Sequence, residues 1–201
     1  MSEGKISLAE TEFAAGLLLL LGLLSALLVD YKILVLFSIF TALYWIYSSP
    51  PARLKRFPFL ATFVIASASL TLLIAGLILS GDTITELPPR LVVAILVCFT
   101  LSFNAKDIKD IRQDKAEGIK TLPVIWGKKI TAIIIAMGFV TVPLLLQVFN
   151  PLLIIISLIF GSMAYINTIH PKGKERNFFI LYYAFILIIF ILAPWITRTL
   201  F

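Results

Sequence analysis

Long apolar runs broken by short polar connections set the pattern of this chain. A helix needs about 20 mainly apolar residues to cross the hydrocarbon core of a bilayer. Seven stretches qualify, near 11–29, 31–48, 59–80, 88–104, 129–149, 151–169 and 177–197. The connections differ in character. Asp30, the segment from Gly81 to Pro89 and Asn150-Pro151 are lean in basic residues, whereas Ser49 to Phe57, Asn104 to Lys129 and His170 to Arg176 are rich in them. No internal repeat or low-complexity linker divides the series. The pattern predicts an all-α, polytopic membrane bundle of seven transmembrane helices, forming one integral-membrane domain over residues 1–201.

Composition agrees: 60% of the 201 residues are hydrophobic and the mean hydropathy is +1.04, far outside the range of soluble domains. A net charge of +6 raises the question of nucleic acid, but that needs a basic face with elements to read it. Here the basic residues fall in short loops, so they report topology and no nucleic-acid partner is expected. With the N-terminus inside, Lys5, Arg53, Lys55, Arg56, Lys106, Lys109, Arg112, Lys115, Lys120, Lys128, Lys129, Lys172, Lys174 and Arg176 are cytoplasmic. Only Lys32, Arg90 and Arg198 remain outside, which supports an odd number of spans in the cell membrane. Tyr44, Trp45, Tyr47, Trp126 and Trp195 stand where interfacial anchors would. The opening segment is acidic, with Glu3, Glu10 and Glu12 against Lys5, so it does not read as a secretory signal and the first apolar run should be retained. Cys98, the single cysteine, lies in an apolar run as a small buried residue, and His170, the single histidine, has no second His for a zinc motif.

One stretch departs from the apolar rule: Asn104 to Gly127, N-A-K-D-I-K-D-I-R-Q-D-K-A-E-G-I-K-T-L-P-V-I-W-G. Asp107, Asp110 and Asp114 stand at i, i+3 and i+7, which puts them on one face if the segment is helical. Lys106, Lys109, Arg112 and Lys115 alternate with them. Spacing alone permits a solvated helix face laced with ion pairs. It also permits a hard-cation site, because Mg²⁺ is held by one or two carboxylates with substrate phosphates and waters. Gly118 suits a left-handed helix stop, Thr121 a cap and Pro123 the first turn of the next helix. A second polar cluster, Tyr47-Ser-Ser-Pro-Pro-Ala-Arg-Leu-Lys-Arg56, closes the second span, where Pro50 and Pro51 end the helix. Its cations are either a positive-inside loop or phosphate ligands on the same side as the aspartates.

The pattern D-I-K-D-I-R-Q-D-K-A-E-G-I-K-T-L-P-V-x-x-G resembles the second aspartate-rich motif of the UbiA family of intramembrane prenyltransferases. Tyr-Ser-x-Pro-Pro-x-x-x-Lys-Arg resembles a segment of members that prenylate aromatic quinone, tocopherol or chlorophyll precursors. The resemblance implies Mg²⁺-dependent transfer of an isoprenoid chain from a prenyl diphosphate to a lipid-soluble acceptor. It makes Asp110 and Asp114, then Asp107, the metal-holding and catalytic residues, and Tyr47, Arg53, Lys55 and Lys120 substrate-binding. Asn104, at the inner end of the fourth span, is a further candidate for the head-group site, with Tyr165, Asn167 and Thr168 behind it.

The resemblance also implies a nine-helix fold of which these are the C-terminal seven. The family's first motif, Asn-x-x-x-Asp-x-x-x-Asp, has no counterpart here, since Asp30 and Asp82 are expected on the opposite side. A start assigned too far downstream, a separate chain carrying the first motif, and a degenerate remnant all account for this. The intact second motif favours the first two. A non-catalytic membrane subunit that binds prenyl diphosphate or a partner chain is the alternative function. Spans almost free of charge argue against a transporter. Ile111 and Arg112 after Asp110 argue against a lipid-alcohol phosphotransferase, whose signature has Gly there.

Overall fold

The fold is taken from a computed structural model, which describes residues 7–170 and 173–197, with side chains to Leu192 in the last helix. Lys5, Lys172 and Arg198 lie outside the described residues, as does the side chain of Trp195. Among the described residues the regular elements are helices: α1 (Leu8–Val29), α2 (Tyr31–Ser48), α3 (Leu60–Leu79), α4 (Pro89–Ser102), α5 (Ile111–Ala116), α6 (Leu122–Val140), α7 (Val142–Leu146), α8 (Pro151–Ile169) and α9 (Glu175–Thr197). Short 3₁₀ turns cover Leu54–Arg56, Ile84–Glu86 and Phe103–Ile108. Among the described residues seven segments are long and apolar enough to cross a membrane, matching the seven expected from the sequence.

Local signals set the ends. Ser7 and Glu10 form a capping box at α1, with Ser7 N–H donating to Glu10 Oε2 at 2.7 Å and Glu10 N–H to Ser7 Oγ at 3.2 Å. Asp30 ends α1 and starts α2, its carboxylate accepting from the Lys32 N–H at 2.6 Å. Asn150 caps α8 ahead of Pro151 in the first turn. The fifth span begins at Leu122, earlier than the expected 129, because the helix opened by Thr121 and Pro123 resumes past a kink at Gly127 (φ 76°, ψ 167°).

Each span packs on the next: α1 on α2, α2 on α3, α3 on α4, α4 on α6, α6 on α8 and α8 on α9. Lipid tails are as apolar as leucine, so close approach and packing hold such helices together, and small residues sit at their contacts. Ala66, Ala68, Ala132 and Ala164 are buried at such contacts. At Gly138 the fit of α6 on α4 is tightest, since a Cβ there would lie 2.9 Å from the Cys98 carbonyl oxygen and nearer still to Ser102 Oγ. An aromatic cluster fills the centre, with Phe139 of α6 set edge-on to Phe178, Tyr182 and Phe185 of α9 at 5.1–6.1 Å. Cys98 is buried beside it, as expected of a small core residue. Large apolar side chains elsewhere, including much of α1 and α2, face outward, as a lipid-bathed surface requires.

Candidate functional site

The ends of α2, α4 and α8 and the starts of α3, α6 and α9 meet at one end of the bundle, and the charged segment is laid across them. It is not one continuous helix. Asp107 belongs to the 3₁₀ turn, Asp110 precedes α5 with φ −97° and ψ 4°, and Asp114 lies within α5. Backbone bonds from Asp110 N–H to the Asp107 carbonyl (3.3 Å) and from Asp114 N–H to the Asp110 carbonyl (2.8 Å) keep the three in register across the break. All three line one cavity of about 360 Å³.

The turn after α5 explains why this segment folds back. Gly118 takes φ +69°, the left-handed region expected of it. Gly118 N–H then donates to the Lys115 carbonyl at 3.3 Å and Ile119 N–H to the Asp114 carbonyl at 2.8 Å, a complete Schellman stop. Ile119 is buried by that turn. Thr121 starts α6 in extended conformation, but its hydroxyl caps nothing. It donates instead to Asp114 Oδ2 at 3.1 Å, so the expected cap residue is an aspartate partner.

Opposite the acids, Tyr47 from the last turn of α2 and Lys55 from the following 3₁₀ turn enter the cavity wall. Lys106 bridges the two walls. Its ammonium donates to Tyr47 Oη at 2.6 Å and lies 4.9 Å from that ring's centroid. Lys109, Gln113, Glu117 and Glu175 complete the rim, with Lys109 Nζ 2.6 Å from Glu175 Oε2 and Gln113 Nε2 donating to Glu117 at 2.9 Å.

Burial pushes the Asp114 carboxyl above the usual carboxylate range; the Thr121 hydroxyl opposes this, the Asp110 and Glu117 charges add to it, and Lys55 offsets it. Glu175 holds the Lys109 ammonium above the usual lysine range through its hydrogen bond and charge. Crowded acids of this kind gain from a cation among them.

The cavity thus brings together Asp107, Asp110, Asp114, Tyr47 and Lys55 and leaves out three other residues expected at the site. Arg53 sits in a left-handed turn (φ 41°), and its side chain is not in the lining. Lys120 is exposed beyond the turn. Asn104 is 1% exposed, with its amide donating to the Thr100 and Leu101 carbonyls at 2.8 and 3.0 Å. Lys106 was not singled out from the alternating lysines of the motif, and Glu175 comes from the far end of the chain; only the fold selects them.

Whether Mg²⁺ suits these residues rests on the donor set. Among the described residues no group of three acidic, histidine or cysteine side chains is close enough to cage a metal. Mg²⁺ does not require that, because it takes one or two carboxylates and fills its shell with phosphate oxygens and water. Asp110 and Asp114, hard oxygen donors whose charges act on each other, fit a metal shared with an anionic substrate.

A helical membrane bundle with an acid-and-lysine basin at one end is the class defined so far. A model of the UbiA prenyltransferase family matches residues 1–186, and the chain belongs to that family. In fold it is similar to a UbiA homolog from Archaeoglobus fulgidus bound to Cd²⁺, with a TM-score of 0.66, 24% identity, and 93% of this chain and 74% of that one covered. A second structure of a UbiA homolog from the same organism gives a TM-score of 0.65 at 23% identity, covering 92% and 72%. No curated protein matches the sequence.

Proposed function

We propose that this chain acts in Mg²⁺-dependent transfer of an isoprenoid chain from a prenyl diphosphate to a lipid-soluble acceptor of the aromatic, quinone- or tocopherol-precursor type, at the cytoplasmic face of the cell membrane. The observation that carries the reading is the meeting of three aspartates with Tyr47, Lys55 and Lys106 around one basin at the end of an apolar bundle. Asp110 and Asp114, with Asp107 beside them, would hold the metal. When bound, Mg²⁺ neutralises the diphosphate as negative charge builds on it during departure. Lys55 and Lys106 offer ammonium groups to phosphate oxygens not taken by the metal, and Tyr47 fixes the direction of Lys106. Arg53 and Lys120 stand outside the basin lining, and the buried Asn104 amide is committed to the Thr100 and Leu101 carbonyls, so none of the three takes a substrate contact. The apolar spans exclude water from the allylic cation left behind until the acceptor attacks it.

A second reading rests on the one-sidedness of the aspartates, which all come from residues 107–114 and form no metal cage among the described residues. In it the chain binds the diphosphate but turns it over only with a separate chain bringing further carboxylates, or not at all. Titration of the purified chain with a prenyl diphosphate, with Mg²⁺ or with EDTA, tests both. Saturable binding that EDTA abolishes is expected. Turnover with added acceptor selects the first reading and binding without turnover the second, while metal-independent binding sinks both.

A further inference from the structure

The charged end of the bundle carries another hollow, of about 220 Å³, which shares Lys109 and Glu175 with the acid basin. Its other polar walls are Lys128 at the kink of α6, Lys174 ahead of α9, and Thr168 of α8. Glu175 is its one carboxylate and is engaged by Lys109. Among the described residues Lys128 and Lys174 form no ion pair. The balance of this hollow is therefore positive, the reverse of its neighbour.

The hollow does not end at its polar walls. It shares Asn167 and Gly173 with a mostly apolar groove of about 510 Å³ between α8 and α9, walled by Met163, Ile166, Ile180 and Leu181 with the polar His170 and Asn177 at its sides. The junction is built tightly. Asn167 Nδ2 donates to the Lys174 carbonyl at 3.2 Å, and a Cβ at Gly173 would lie 1.8 Å from the Asn167 carbonyl oxygen. Two lysines without acid partners thus sit at the mouth of a greasy channel at the edge of a membrane protein. An anion with a hydrocarbon tail matches both halves, and the surrounding bilayer is its nearest source. A phosphodiester needs no metal to meet two ammonium groups, whereas a zwitterionic head would bring a cation toward them.

We propose that the Lys128–Lys174 hollow and the α8–α9 groove together hold one anionic phospholipid of the surrounding membrane, its phosphodiester on the two ammoniums and one acyl chain along Met163, Ile166, Ile180 and Leu181. The proposal stands independently of prenyl transfer.

The test uses the full chain purified in a neutral detergent and titrated with phosphatidylglycerol or phosphatidylcholine, followed by thermal unfolding and by native mass spectrometry. One tightly retained phosphatidylglycerol and a raised melting temperature are expected, with phosphatidylcholine weaker by about tenfold. Lys128→Gln with Lys174→Gln should erase that preference, while Arg112→Gln with Lys115→Gln, on exposed positions outside both hollows, should keep it. Leu181→Trp, which fills the groove and leaves the charges alone, should weaken phosphatidylglycerol as well, and it serves if the double variant does not fold. Equal binding of the two lipids, retained preference in the Lys128/Lys174 variant, or equal loss in both charge variants overturns the proposal. So does displacement of the lipid by millimolar glycerol phosphate, which would mean that the head alone is recognised.

Discussion

Two hollows lie side by side at the charged end of this bundle and share the Lys109–Glu175 pair, yet they are built on opposite logic. The acid basin gathers Asp107, Asp110, Asp114 and Glu117 against Lys55 and Lys106, so it presents more negative charge than it neutralises. The lysine hollow gathers Lys128 and Lys174 against no acid that is not already engaged. An anion enters the second directly but enters the first only with a cation to mediate. The difference teaches that a count of basic residues at a membrane edge, useful for topology, says nothing of which cations can meet a phosphate unaided.

The sharpest way to break this comparison is to remove the mediator's ligands. Asp110→Asn with Asp114→Asn should weaken Mg²⁺-dependent binding of a prenyl diphosphate by on the order of 100-fold, measured by calorimetric titration. Lys128→Gln should leave the same titration unchanged within experimental scatter. Equal losses in the two variants would mean that the hollows are not separate sites. Next in size is Lys106→Met, which removes a charged donor from the basin and should weaken binding by about tenfold, in line with ~1.5–3 kcal/mol for a charge-assisted hydrogen bond. Tyr47→Phe should cost less than Lys106→Met in the same titration, because the ring face near the ammonium remains.

These residues differ in how far the sequence revealed them. Apolar runs of membrane-spanning length have one stable solution, so all seven helices were legible from hydropathy. Asp107, Asp110 and Asp114 were legible as a motif, although the helix expected to align them is broken between Ile108 and Ile111. Lys106 was not, because Lys106, Lys109, Arg112 and Lys115 look alike in sequence. Only contact with a tyrosine 59 positions away separates one of them. Asn104 was expected at the site and is drawn away by a local demand: the end of α4 leaves carbonyls without helical partners, and the Asn104 amide satisfies two of them. Thr121 went the other way, from expected cap to partner of Asp114. Short polar side chains beside helix ends have several such options, and the choice among them is tertiary.

That choice at Thr121 gives the next prediction. Thr121→Val removes the hydroxyl that favours ionised Asp114, a loss of ~1.5 kcal/mol, the low end for a hydrogen bond to a charged group. The folded Asp114 carboxyl already lies above its unfolded value, so the ligand-free fold takes up a proton as pH falls toward the ordinary aspartate range and gains stability there. Mg²⁺ binding has the opposite sign, because the proton competes with the metal. Losing the hydroxyl raises the carboxyl further, so the pH at which Mg²⁺-dependent binding is half lost should move upward in the variant. A midpoint that stays put or moves down would remove Asp114 from the metal's reach.

Glu175→Gln should have the smallest effect, and it tests the shared wall itself. Lys109 is 58% exposed and Glu175 27%, so solvent screens their attraction, and the melting temperature should shift by no more than about 2 °C. The raised Lys109 ammonium contributes stability that is complete below its unfolded value and is lost only as pH rises through the alkaline lysine range. Near neutrality the pair's small contribution is therefore fully present, so the shift in melting temperature is read there and should vanish at strongly alkaline pH. What changes is charge: each hollow loses a carboxylate on its rim, and Lys109 is released to either side. Anionic phospholipid should bind somewhat better, because the lysine hollow loses its one acid. Diphosphate in the acid basin should change less, since Asp107, Asp110, Asp114 and Glu117 still outnumber the cations there. Equal gains on both sides would mean that Glu175 acts as a general surface charge and that the pair does not divide the two hollows.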